Sequence, residues 1–184
     1  MLHGHHGEVH CKEFPSIWRL PVPSNAMGMA WRLFLDRMQT QDNLLKRGVA
    51  LPADTCLLCS CAVETGPHLF FTCVFSWHVW MGIYAWFGVT TVIHYDGLIH
   101  YSAFQELART KCQKRIVGAV WIAVIWCIWN CRNGVVFREE VADVGKVRDQ
   151  IVFKSWLWLH SKVDNFHFSV YEWRHDLVAC LSQL

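Results

Sequence analysis

Charge is scarce in this sequence: 17% of its 184 residues are Asp, Glu, Lys or Arg, and they balance to a net +2. Without a basic tail or stripe, electrostatics alone names no nucleic-acid partner. The short motifs that announce catalysis are missing too. There is no pair of adjacent aspartates for two-metal nucleotide transfer, no G-x-x-x-x-G-K phosphate loop, no H-E-x-x-H and no G-x-S-x-G. No apolar run reaches the roughly 20 residues that cross a bilayer. The nearest is Ile116 to Ile128, 13 apolar or glycine residues closed by Asn130, Arg132 and Asn133, which reads as a buried core helix. Nor does MLHGHHGEVHC read as a secretory signal, so an intracellular chain is expected, nuclear or cytoplasmic, with no membrane partner.

What is abundant is apolar and aromatic. The hydrophobic fraction is 53% and there are 11 tryptophans, enough for a large core and too much for a disordered chain. Nine unevenly spaced cysteines do not form a disulfide framework; in a reducing compartment, clustered thiols beside a histidine read as metal ligands. Cys112, Cys127, Cys131 and Cys180 are scattered and read as small buried hydrophobes.

The pattern along the chain predicts a mainly α fold. Residues 1–16 are histidine-rich and expected to be a flexible end, followed by a prolyl segment with Pro21 and Pro23. Met27, Ala30, Trp31, Phe34, Leu35 and Met38 follow a helical period, with Arg32 and Asp36 as an i,i+4 pair. Thr40 caps a second short helix that Gly48 stops. Residues 74–87 read as a helix and 88–98 as a loop or short strand. A long helix over 111–131 is expected to end at Asn133-Gly134. Asp143 caps a further helix whose face is Val144, Val147, Ile151 and Trp158. Residues 166–171 alternate like a strand, and 175–184 allow a last helical turn or two.

The chemistry lies between the second and third helices. Cys56, Cys59, His68 and Cys73 give C-x2-C-x8-H-x4-C, three thiolates and one imidazole, the ligand set of a closed, structural tetrahedral zinc site with no position for an activated water. On a straight helix His68 and Cys73 would lie about 140° apart, so His68 is expected in a turn and Cys73 at the start of the next helix. Cys61 is a rival for a slipped site. Without zinc the loop should lose its shape and expose Leu69, Phe70 and Phe71.

These residues carry a resemblance. Trp31-Arg32-Leu33, Asp36-Arg37, Thr40, Asn43-Leu44-Leu45, Arg47-Gly48, Cys56/Cys59, Glu64-Thr65, His68-Leu69-Phe70-Phe71, Cys73 and Val79-Trp80 stand in the order and spacing of the zinc-binding domain of plant non-LTR retrotransposon reverse transcriptases. It covers about residues 17–88. Ile128-Trp129, Arg132-Asn133 and Phe137 resemble the helical segment that follows, which makes 89–184 a helical extension packed on the zinc domain. The resemblance implies one structural Zn2+ on Cys56, Cys59, His68 and Cys73, no catalytic residue, and contact with nucleic acid, RNA or DNA. Arg32, Arg37, Lys46 and Arg47 are the candidate contacts. With polymerase, endonuclease and RNase H motifs absent, the chain is expected to be a non-catalytic zinc module. The alternatives are a protein-interaction scaffold using exposed tryptophans such as Trp77, Trp156 and Trp158, or a decayed retroelement fragment.

Overall fold

The computed structural model describes residues 16–51 and 53–184, so the histidine-rich segment before Ser16 lies outside the described residues. The fold is mainly helical, and among the described residues no strand forms; one isolated antiparallel bridge joins Thr55 to Val63. Helix α1 is Ser24–Phe34 and α2 is Gln41–Lys46. The zinc-loop segment follows, closed by a single π-turn, His68–Thr72. Then come α3 (Val74–Trp86), α4 (Gly97–Gln105), α5 (Lys111–Arg138), α6 (Val144–Lys162), α7 (Val170–His175) and α8 (Leu177–Ser182).

α5 is the axis. Ile116 to Ile125 are all buried, because α1 and α4 pack on it on one side and α6 on another. At 28 residues it is long and apolar enough to cross a membrane, although its unbroken apolar run is shorter. Here 56% of its most apolar window is buried by other helices, as for a core helix.

One continuous core runs from Ile17 to Leu181 and includes residues of both halves. Its tryptophans are fixed by their indole N–H groups as well as by area. Trp80 donates to the Phe70 carbonyl at 2.8 Å, Trp121 to His100 Nδ1 at 2.9 Å, Trp156 to the Phe168 carbonyl at 2.8 Å and Trp173 to Ser155 Oγ at 3.1 Å. Trp156 and Trp158 therefore belong to the packing of α6 and not to a free surface: Trp158 is buried and Trp156 half-buried. Trp18 and Trp77 are the exposed ones.

Four expectations are corrected. α1 begins right after Pro23 and ends at Phe34, because Asp36 turns into the left-handed region (φ 50°). Asp36 consequently makes no pair with Arg32; it accepts from Asn43 Nδ2 at 3.2 Å, while that same amide also donates to the carbonyls of Asp36 (3.0 Å) and Met38 (3.2 Å). Residues 88–96 form a loop, one of the two readings of that stretch, and no strand; Asp96 then caps α4, a helix not expected there, by accepting from the amides of Leu98 and Ile99. Asn133-Gly134 does not end α5, which runs on to Arg138 and turns at Glu139 (φ 54°). Gly134 stays inside the helix, and its carbonyl accepts the Glu140 amide at 3.1 Å as the chain folds back. Residues 166–171 form no strand: Phe166 is buried against Trp173, and Ser169 opens α7 with a capping box completed by Glu172.

Candidate metal centre

The first half-site is a tight turn. The Ser60 amide reaches back to the Cys56 carbonyl at 2.7 Å, and the left-handed conformation of Ser60 (φ 55°) turns the chain on toward Ala62. The Cys56 amide donates to the Ala62 carbonyl at 2.8 Å and closes the turn from outside. Cys56 and Cys59 are thereby set on one small loop.

The second half-site uses a π-turn. The Cys73 amide donates to the His68 carbonyl at 2.7 Å, an i→i+5 bond. An α-helical segment would splay a five-residue step; the wider turn brings the sixth residue back near the first. His68 sits in the turn and Cys73 is the N-cap of α3, as the spacing required. Upstream, the His68 amide donates to Thr65 Oγ1 at 3.1 Å.

The donor atoms of Cys56, Cys59, His68 and Cys73 all lie within 4.8 Å of one another. Cys56 Sγ is 3.9 Å from Cys73 Sγ, and Cys59 Sγ is 3.3 Å from His68 Nε2. Ligands at about 2.3 Å (sulfur) and 2.0 Å (nitrogen) on a tetrahedral ion stand about 3.5–3.8 Å apart, so the cluster has the dimensions of such a site. His68 Nδ1 faces Thr72 Oγ1 at 3.4 Å; a proton held there leaves the Nε2 lone pair toward the sulfurs. Cys61 is exposed, lies outside the converging group and bonds the Cys59 carbonyl at 2.9 Å. His78 is exposed beside Trp77.

The cluster favours one negative sulfur, that of Cys73. The Cys73 thiol is lowered to about 5, first by the hydrogen bond that Cys56 donates to it and then by the amides of Ser76 and Phe75 at the start of α3. The Cys56 thiol moves up in return, holding the shared proton, and burial raises Cys59.

Glu64, quoted in the sequence pattern without a role, ties the loop to the rest of the molecule. It is fully buried, and its carboxylate meets Arg132 of α5 through Nε (3.1 and 3.2 Å) and Nη2 (2.6 Å). The same carboxylate accepts the Gln41 amide at the start of α2 at 3.1 Å. Arg132 also lies 5.2 Å over the Trp129 ring, which stacks on Phe70 of the π-turn. In the sequence, an E-T-G-x-H run beside a distant W-x-x-R was the available signal.

The candidate nucleic-acid contacts divide. Arg37 and Arg47 are exposed, and Arg47 Nη2 donates to the Arg37 carbonyl at 3.4 Å, so these two lie together. Lys46 is paired with Asp42 at 2.9 Å. Arg32 bonds the Gly28 carbonyl of its own helix at 3.3 Å.

Residues 1–80 match the family described as zinc-binding in reverse transcriptase. No curated protein and no solved structure matches the chain.

Proposed function

From the premise that residues 1–80 are a reverse-transcriptase-type zinc-binding segment, we propose that this chain is a non-catalytic module holding one structural Zn2+ on Cys56, Cys59, His68 and Cys73. The observation that carries this reading is the convergence of three thiols and one imidazole within 4.8 Å. Four protein donors complete a tetrahedral shell, so the ion would act by binding the two half-sites together rather than by activating water. The family match, which is to a zinc-binding domain and not to a polymerase, supports the same view.

The role of the module is contact with nucleic acid through Arg37 and Arg47, two exposed cations that lie together, with Lys46 contributing less because Asp42 neutralises it and Arg32 less because it is half-buried. Removing one cation that neutralises a phosphate should lower the log–log salt slope of binding by about one. The test is cobalt substitution followed by binding. The Co2+-loaded chain should show the visible bands of a tetrahedral thiolate-rich site, and Arg37→Gln/Arg47→Gln should weaken oligonucleotide binding and flatten its salt dependence while those bands stay. An octahedral cobalt spectrum would sink the site; salt-independent binding unmoved by the double variant would sink the role.

A second reading rests on Trp77 and Val74, exposed on the first turn of α3 beside the zinc loop. On that reading the apolar pair docks a protein, and Trp77→Ser would abolish concentration-dependent association without altering the metal content.

A further inference from the structure

At the far end of α5 from Arg132 lies a cleft of about 480 Å³ that the zinc centre does not use. Arg19, Lys111, Lys114 and Arg115 stand on its rim, and Tyr101 and Gln105 line it. We propose that this cleft binds phosphate esters.

The four cations come from two parts of the sequence: Arg19 from the segment before α1, and Lys111, Lys114 and Arg115 from the first residues of α5. Among the described residues, Arg19, Lys111 and Arg115 form no ion pair, and Lys114 has only a loose one, 3.4 Å from an exposed Glu106. The single carboxylate on the rim leaves a surplus of three positive charges over one small concavity, in a chain whose total is +2. Clefts that concentrate one sign of charge draw in counter-charged ligands.

A second observation points the same way. Gln105 Nε2 is shut off from solvent and has no hydrogen-bond partner among the described residues. Gln105 is half-buried and lines the cleft, so turning this amide into it would let an oxyanion satisfy the donor. The floor is close-packed because position 118 is glycine; a Cβ there would stand 2.7 Å from Leu20 and 2.9 Å from Gln105 Nε2. The N-terminal end of a 28-residue helix, with its Gln113 amide already capped by Thr110, adds its dipole to the positive field. The volume lies in the range of pockets that hold a nucleotide-sized ligand.

One chemistry, the phosphate ester, has two sources here: a free nucleoside triphosphate or a nucleic-acid strand. The cleft stands roughly 30 Å along α5 from Arg132 and the zinc loop, so its occupancy is separable from the proposed zinc-end contacts. Binding of a fluorescent nucleoside triphosphate and of a labelled single-stranded oligonucleotide would be measured on the zinc-loaded full chain, on Lys111→Gln/Arg115→Gln and on Arg37→Gln/Arg47→Gln. Lys111→Gln/Arg115→Gln should weaken at least one probe tenfold or more with its melting temperature unchanged, whereas Arg37→Gln/Arg47→Gln leaves triphosphate binding intact. Triphosphate binding would assign a free nucleotide, and strand binding alone would assign a nucleic acid. Neither probe binding, or the same affinity in the Lys111/Arg115 variant, would overturn the proposal whatever the zinc end does.

Discussion

Ser60 shows how one residue's backbone governs the metal loop. Its left-handed φ of 55° is what turns the chain after Cys59 so that the Ala62 carbonyl meets the Cys56 amide, and a side chain in that conformation costs about 1 kcal/mol that glycine does not. Ser60→Gly should therefore leave the zinc-loaded protein as stable or up to about 1 kcal/mol more so, and Ser60→Val should lower the melting temperature; calorimetry on both variants decides it. His100 makes a different prediction. It is buried among Phe71, Trp80 and Phe104, accepts the Trp121 indole and contacts Tyr84 Oη at 3.3 Å, and burial, with a smaller push from His94, lowers its pKa to about 3. Above the ordinary histidine value of about 6.5 both folded and unfolded chains hold it neutral. Between about 6.5 and 3 the unfolded chain takes up a proton that the folded core refuses, so stability falls as pH falls. His100→Gln should show a smaller loss of denaturant midpoint between about pH 7 and pH 5 than the wild type; an equal loss would remove this account of His100.

At the scale of elements, legibility depended on whether the cause was local. The capping of α6 by Asp143 and the stop at Gly48 (φ 81°) could be read directly, because an acceptor side chain or a glycine at a helix end acts on its own neighbours. The spacing of the four site residues was likewise enough to place His68 in a turn and Cys73 at a helix start. Asn133-Gly134 misled because a glycine inside a helix costs only about 1 kcal/mol, which the packing of α5 on its neighbours outweighs. Residues 166–171 misled because Phe166 is buried against Trp173 in the following helix rather than paired across a sheet. α4 was invisible for a similar reason: His100, Tyr101 and Phe104 face the core, but its nine residues are too few to establish a period. The π-turn yields its own test. Inserting one alanine between Phe71 and Thr72 would move Cys73 off the i→i+5 position, and metal content should fall well below that of the parent while α3 remains helical by circular dichroism.

Across the whole molecule, the pairing of Glu64 with Arg132 makes the zinc loop and the long helix one structure, although they lie 68 residues apart. Neither residue has a role that sequence reveals, since a buried ion pair leaves no trace in composition or period. Removing one partner leaves the other charge buried and costs on the order of 3–5 kcal/mol. Arg132→Met should thus destabilise strongly, while Glu64→Gln/Arg132→Met should recover part of that loss; urea denaturation of the wild type, both single variants and the double variant checks it, and additive losses would contradict the coupling. The tryptophan excess also resolves at this scale. Indoles of Trp80, Trp121, Trp156 and Trp173 donate into the core, which explains an abundance that sequence alone left divided between core and interface.

The central claim is that the two half-sites, Cys56 with Cys59 and His68 with Cys73, close around one metal ion, and zinc counted by native mass spectrometry on the purified full chain and on Cys59→Ser tests it most directly. The account predicts one zinc per wild-type chain, absent from Cys59→Ser together with part of the helical signal. A folded wild-type chain that carries no zinc, or a Cys59→Ser chain that keeps it, would contradict the account.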